Sequence, residues 1–482
     1  MTIVLGIDLA TAEVRVQAVD VATGQTVAGA RAALPLRNAA GSGPAGARVQ
    51  PPDHGRLARE LITAVGGRLG ARAKEVRGLS ITGTSGTVVP ADARGRPVGD
   101  AVLYDDPRGA DQLRRLVEAG IARRPVAALA RAAWMHGVAP AARYLFTPDI
   151  VAADLSGRLL PSDTSHALKS GIDPVSARWD ETALAVLGLP VERMPELVRP
   201  GTRIGEVADP AQLGLPDGVV IVAGMTDGST GQLATGAVAE GDTVGVLGTT
   251  LVLKAVSRFE VLDSVSGVYS HGAPDGLFWP GGASNTGAGV LRQGLTAGLD
   301  PAEAADAVAA HGPSEVVAYP LLRRGERFPL ADPVFEGFSI DLAGRAREAA
   351  TPVERFRTVY EGVALVERLG LERLGALGVE RSRHHLAGGA SASRVWNSIR
   401  ASALGHEVVV AQGAGSARGA AVIAAAAVGT EPLQVIAERF AGVRTVVDPD
   451  AALVPALDDR YRVLCERLAP SPGRGLADPA DT

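Results

Sequence analysis

Residues 3–28 read IVLGIDLATAEVRVQAVDVATGQTVA. Val4, Ile7 and Leu9 lead into the small-residue turn Ala10-Thr11-Ala12, and Val14, Val16, Ala18 and Val19 lead away with strand-like alternation. Asp20 to Gly24 form a second turn, so the stretch predicts a hairpin and a third strand opening a sheet. A similar unit returns near mid-chain as DTVGVLGTTLVLKAVS, residues 242–257, where Val244 and Val246 precede Gly248-Thr249-Thr250 and Leu251, Val252 and Leu253 follow. Two such units half a chain apart predict two related halves.

Between and after them strands and helices alternate. Residues 76–92 read as strand, loop, strand; 57–69 and 111–129 as helices; 218–237 as a strand, a polar loop and a helix start. The second half gives a helix over 352–377, a strand at 385–387, a helix over 392–404, a strand at 408–410 and a helix over 417–428. Such alternation predicts an α/β fold. A length of 482 residues fits two or three domains. The tail from Ala469 is rich in Pro, Gly and Asp and reads as disordered.

The net charge of −5 and the lack of a basic tract argue against a nucleic-acid or anionic-membrane partner. Cys465 is the single cysteine, which rules out an internal disulfide and suits a reducing compartment. No basic signal segment opens the chain, and the apolar run 419–429 is too short to span a bilayer, so the reading is a cytoplasmic protein.

Phosphoryl transfer needs donors around the phosphates, a carboxylate for Mg2+ and a base for the hydroxyl proton. Asp8 stands two residues before the first turn, Gly248-Thr249-Thr250 offers donors, and Asp227 lies in the polar loop 224–231. Taken singly, each also reads as an ordinary turn. Lys74, Lys169 and Lys254 are the only lysines and none follows a glycine, so a Walker A loop is absent. VVVAQGAGSARGAA, residues 408–421, mimics a dinucleotide fingerprint but lies too near the C-terminus to open a two-half dinucleotide domain. The pair His384-His385 lacks metal-site spacing.

Several segments together resemble, in order and over nearly the whole chain, the FGGY family of carbohydrate kinases. GIDLATAEVR (6–15) resembles its opening phosphate loop, SITGTSGTVVPAD (80–92) its first sugar loop, and VLYDDPR (102–108) its W-x-D-x-R segment with Tyr104 in place of tryptophan. AGMTDGSTGQLATGA (223–237) is similar to the catalytic-base loop, GVLGTTLVLKA (245–255) to the second phosphate loop, and YPLLRRGERFPLADP (319–333) to the G-E-R segment. Residues 385–408 and 413–429 resemble the C-terminal signature. A finer likeness, through GTTLVLK, YSHGA and GGASNTGAGVLRQ, is to the D-ribulose/xylulose kinase-like branch of cyanobacteria and plants.

The resemblance implies two actin-like, ribonuclease H-like domains with the active site in the cleft between them: residues 1–236 for the sugar, 237–468 for the nucleotide, and 469–482 as the tail. It implies ATP and Mg2+ with a small-molecule sugar, and the expected assembly is a monomer or homodimer. D-ribulose is the first acceptor and D-xylulose the alternative, because Thr84-Ser85-Gly86 replaces the Met-His-Gly of classical xylulose kinases. Asp227 is implied as general base and Asp8 as the Mg2+ residue. Ala10, Thr11, Gly248, Thr249 and Thr250 are implied around the phosphates, with Gly287, Gly388, Gly389, Ser393, Trp396 and Asn397 around the adenine. Trp396 reads equally well as core packing. Thr84, Ser85, Tyr104, Asp106, Asp227 and Gly228 are implied at the sugar. Ala10 stands where the family has glycine, and Glu13 where it has a small residue. Those departures motivate a competing class, a nucleotide-binding pseudokinase or sugar sensor. An actin- or chaperone-like ATPase is a third class, disfavoured because no separate peptide-binding domain is evident.

Overall fold

A computed structural model describes residues 1–39, 47–121, 124–292, 301–411, 413 and 415–469. The opening unit forms β1 (Ile3–Leu9), β2 (Glu13–Asp20) and β3 (Thr26–Ala33), paired antiparallel in sequence. On its other edge β1 pairs in parallel with β4 (Val76–Gly83); β5 (Arg203–Glu206) and β6 (Val220–Val222) complete a six-stranded sheet of order β5-β6-β4-β1-β2-β3. Every residue of β1 is buried, as an apolar run covered on both sheet faces should be.

The mid-chain unit repeats the plan. β7 (Thr243–Leu247) pairs antiparallel with β8 (Leu251–Ala255), β9 (Tyr269–Gly272) and β10 (Phe278–Ala283) extend that edge, and β11 (His384–Ala387) joins β7 in parallel. β12 (Val408–Ala411) and β13 (Arg444–Val447) finish a seven-stranded sheet, β9-β10-β8-β7-β11-β12-β13. Each sheet thus centres on a strand that turns back antiparallel into its successor and lies parallel to a much later strand. This mixed α/β architecture is the two-domain actin-like fold.

Helix α1 (His54–Leu69) packs on the first sheet, with Leu57, Leu61, Ile62 and Val65 turned into its core. Helix α2 (Asp227–Thr235) follows β6. In the second half, α3 (Pro352–Ala376) and α4 (Arg394–Leu404) pack together, and α5 (Ser416–Val428) crosses back to the first sheet. A Cβ on Gly6 of β1 would sit 1.7 Å from the Ala417 carbonyl, and one on Gly419 1.7 Å from the Thr230 carbonyl. Glycine at both places lets α5 lie backbone-to-backbone on β1 and α2. Val4, Val19, Leu233, Val256, Trp279 and Ala421 share one apolar cluster, so this packing joins the two halves.

One expectation changes. The helix read over 111–129 is two helices, Ala110–Glu118 and Ala127–Val138; Gly120 turns left-handed at φ 69° and Pro125 cannot continue the ladder. The strand after the Thr84 loop, Val88–Ala91, leaves the first sheet for a separate five-stranded one that also holds Arg48–Gln50. The expected tail lies, beyond Ala469, outside the described residues. Among the described residues no helix is long and apolar enough to cross a membrane.

Candidate active site

Three strand ends converge beside α2. β1 ends after Asp8, β4 ends at Gly83 and runs into the Thr84 loop, and β6 leads to Asp227 at the head of α2. Thr82 Oγ1 donates to the Met225 carbonyl at 2.7 Å, and Gly83 bridges to Thr226, which stitches the Asp227 loop to the end of β4. A Cβ on Gly224 would lie 2.0 Å from the Ile81 carbonyl, so this approach needs glycine.

Asp227 Oδ1 accepts the Gly228 N–H at 2.7 Å, and the helix N-terminus favours its negative charge. Burial still raises its pKa above the ordinary carboxylate value, against the pull of the Gly228 N–H, Lys169, His166 and Lys254. Asp8 Oδ2 accepts from Arg15 Nη1 at 3.0 Å, while Asp8 Oδ1 is buried with no partner. Burial lifts the Asp8 pKa to about 6; Arg15 opposes this and Asp227 adds to it. Two carboxyls that feel one another, one with a free buried oxygen, suit a proton acceptor beside a hard cation. Among the described residues no cluster of three acidic, His or Cys side chains forms a closed metal cage. Mg2+ does not require one, since it keeps several waters and takes one or two carboxylates. Asp8 fits that role.

The first turn follows Asp8 directly, and the second joins β7 to β8. Gln50 Nε2 donates to the Ala10 and Thr11 carbonyls at 3.1 and 2.8 Å, so what that turn still offers is N–H and hydroxyl groups. In the second turn the Gly248 and Thr249 carbonyls accept the N–H groups of Ala288 and Gly289. Gly287 backs this turn: a Cβ there would sit 2.6 Å from the Thr249 carbonyl. Glu13, one of the two departures noted in the sequence, is ion-paired with Arg15 and Arg31.

The Thr84 loop has its own polar set. Thr84 and Thr87 hydroxyls meet at 2.7 Å, and Ser85 Oγ is buried without a partner. A Cβ on Gly86 (φ 88°) would lie 3.2 Å from Arg131 Nη2, 3.3 Å from Lys169 Cδ and 3.7 Å from Tyr104 Cβ, so these side chains surround the loop. Tyr104 is 45% exposed at the mouth. Burial lowers the Lys169 pKa to about 8 and the Arg131 pKa to about 10. Beneath the loop, His166 Nδ1 lies 2.6 Å from Asp163 and Nε2 accepts the Gly83 N–H at 3.2 Å, which assigns the neutral Nδ1-protonated ring.

Two expected contacts are spent elsewhere. Asp106 is buried against Arg108, which donates to both its oxygens at 2.8 and 2.6 Å, leaving it a local clamp rather than a sugar ligand. Trp396 is 2% exposed and stacked 4.1 Å from Tyr360, so it is core and offers no wall to a base. Ser393 caps α4 through the Trp396 N–H. Gly388 and Gly389 are exposed, with open space beside Gly389, and Asn397 holds the Ser391 carbonyl while its Oδ1 stays buried and unpaired. Sequence reading missed Gln50, Arg131, Lys169 and Lys254. The two lysines carried a signal, for each interrupts a run of small or apolar residues in a chain with only three.

The N-terminal domain of the FGGY family of carbohydrate kinases matches residues 3–234 and its C-terminal domain residues 244–428. A xylulose kinase of Streptomyces coelicolor is 31% identical over 285 residues, 53% of this chain and 54% of that protein; the match thus spans about half its length. A gluconokinase of Bacillus subtilis is 22% identical over 70% of this chain and 71% of its own. Among solved structures, a "xyloylose kinase" from Brucella ovis superposes with TM-score 0.86 at 23% identity, covering 97% of this chain and 99% of that one.

Proposed function

We propose that this chain, which belongs to the FGGY family of carbohydrate kinases, transfers the γ-phosphoryl group of ATP to a hydroxyl of a small open-chain sugar. The observation that carries this reading is that two buried carboxyls, Asp227 at the head of α2 and Asp8 at the end of β1, act on one another.

The acceptor lies on the Thr84 loop, near Thr84, Ser85, Tyr104 and Gly228, within residues 1–236. The nucleotide lies along residues 237–468, its base near Gly388, Gly389 and Asn397. The turns Ala10-Thr11 and Gly248-Thr249-Thr250 donate to its phosphates. Asp8 holds Mg2+, which supplies charge neutralisation at the phosphates. Asp227 accepts the hydroxyl proton as that oxygen bonds to the γ-phosphorus and the bond to the ADP oxygen breaks. The sugar is a ketopentose, D-ribulose first and D-xylulose second, since Thr84-Ser85-Gly86 is small and hydroxyl-rich.

One observation favours a second acceptor class. Lys169 has no hydrogen-bond or ion-pair partner among the described residues, and Arg131 Nε is buried unpaired beside it. Two underused cations on the sugar loop suit an acceptor that carries a carboxylate.

The test is sugar-dependent ADP release with Mg-ATP and D-ribulose, D-xylulose, L-ribulose, L-xylulose, glycerol or D-gluconate, run beside Asp227→Ala. Stimulation by one ketopentose, lost in the variant, supports the first reading; stimulation by gluconate alone supports the second. No stimulation by any acceptor overturns both and favours a nucleotide-binding protein without turnover.

A further inference from the structure

One buried cation near the site has no part in these roles. Lys254 lies on β8, the strand that leaves the Gly248–Thr250 turn, within the run Leu251-Val252-Leu253-Lys254-Ala255. It is 6% exposed, rare for lysine. Its Nζ donates to Ser229 Oγ at 2.5 Å, and Ser229 sits in the first turn of α2, two residues past Asp227. A Cβ on Gly228 would lie 4.0 Å from the same Nζ. No carboxylate among the described residues makes an ion pair with Lys254; burial lowers its pKa to about 7, and Asp227 opposes that by favouring the charged amine. Packing alone does not explain an ammonium here, since methionine or leucine would complete the apolar run without burying a charge.

The contact also joins two parts of the molecule. Ser229 and Asp227 belong to the helix that closes the first half; Lys254 belongs to the strand behind the second turn. The other charges acting on Asp227 come from the first half: Lys169 favours its ionisation, and Asp8 opposes it. Lys254 also acts on the buried His271 of β9, and Lys169 acts on both.

We propose that Lys254 is a positioning residue that ties the first turn of α2 to the strand behind the Gly248–Thr250 turn and keeps the Asp227 carboxylate ionised and seated. This rests on the reading of Asp227 as the base. It links the state of the base to the placement of the nucleotide half, because one amine touches the helix of the former while standing on the strand of the latter.

The experiment uses the full chain with K254M, K254Q, K254R and S229A, and two readouts. The first is the pH profile of sugar-dependent ADP release, with kcat and the KM for ATP measured separately. The second is 13C NMR titration of aspartate carboxyls, with the Asp227 resonance assigned by its absence in D227N. K254M and K254Q are expected to lower kcat by about ten- to a hundredfold and to raise the Asp227 midpoint by roughly half a unit to one unit, as loss of a nearby cation does. The KM for ATP stays within about threefold, and K254R restores most of kcat, because the charge is what matters. S229A lowers kcat a few-fold without moving the midpoint.

A K254M protein with the wild-type midpoint and profile overturns the proposal. So does a raised KM for ATP at unchanged kcat, which would make Lys254 a phosphate contact. Should K254M lose its cooperative melting transition, K254Q, which keeps a donor for Ser229, carries the same test. Should the wild-type protein show no sugar-dependent turnover, the kinase reading fails while the NMR midpoints still decide whether Lys254 sets the charge of Asp227.

Discussion

The turns at Ala10–Ala12 and Gly248–Thr250 close the same kind of hairpin in sheets of the same plan, yet they are held and equipped differently. The first has its carbonyls pinned by a side chain, Gln50, reaching from a different sheet. The second is pinned by backbone N–H groups of Ala288 and Gly289 on its own side of the molecule. Two residues ahead of the first turn stands a buried acid, Asp8; two residues ahead of the second stands Val246. A repeated scaffold has therefore not repeated its chemistry. On the proposed roles, one copy carries the negative charge for a cation and the other carries donors for an anion.

Substitutions can break that division. The largest effect is expected for Asp227→Ala, a loss of about a thousandfold in kcat, within the range general bases contribute, read by ADP release under saturating sugar and Mg-ATP. Asp8→Val gives the first turn the residue pattern of the second. It is expected to lower kcat by roughly a hundredfold and raise the Mg2+ requirement, measured by metal titration of the rate. The pH profile sharpens the same point. Burial raises the pKa of both Asp227 and Asp8, that of Asp8 to about 6, so Asp8 gains a proton as the pH falls toward that value and Asp227 gains one above the ordinary carboxylate range. The rate should drop on the acid side well above the usual carboxylate range, and an acid limb near pH 4 would contradict the burial seen here. Gln50→Ala frees the first turn alone. It is expected to raise the KM for ATP about tenfold and to lower stability by about 1 kcal/mol, read by kinetics and urea unfolding. The smallest effect is expected for Ala10→Gly, a change in kcat within about threefold, since the turn is already fixed through its carbonyls.

Local pattern made much of this visible in advance. The strands at 3–9, 13–20 and 243–255 announce themselves because buried apolar runs bracket turns of small residues, and Asp227 stands out as an acid in a polar loop. What stayed hidden depends on partners distant in sequence. Gln50 looks like any strand-end glutamine until it is seen under the carbonyls of Ala10 and Thr11. Trp396 pairs with Tyr360 across two helices, which no spacing within either helix reveals. Asp106 sits in the right motif, but its neighbour Arg108, backed by Trp134, has already claimed it. Lys254 reads as a blemish in a strand until Ser229 supplies its reason.

The helix Ser416–Val428 has a consequence during synthesis. Its backbone lies against Gly6 and Thr230, so the sheet begun by β1 waits for a segment made some four hundred residues later to cover one of its faces. Until then Val4, Val19 and Val222 lack their neighbours in the shared cluster. A nascent chain halted before this helix should therefore present an apolar surface that chaperones recognise, and separately expressed halves should aggregate unless they meet.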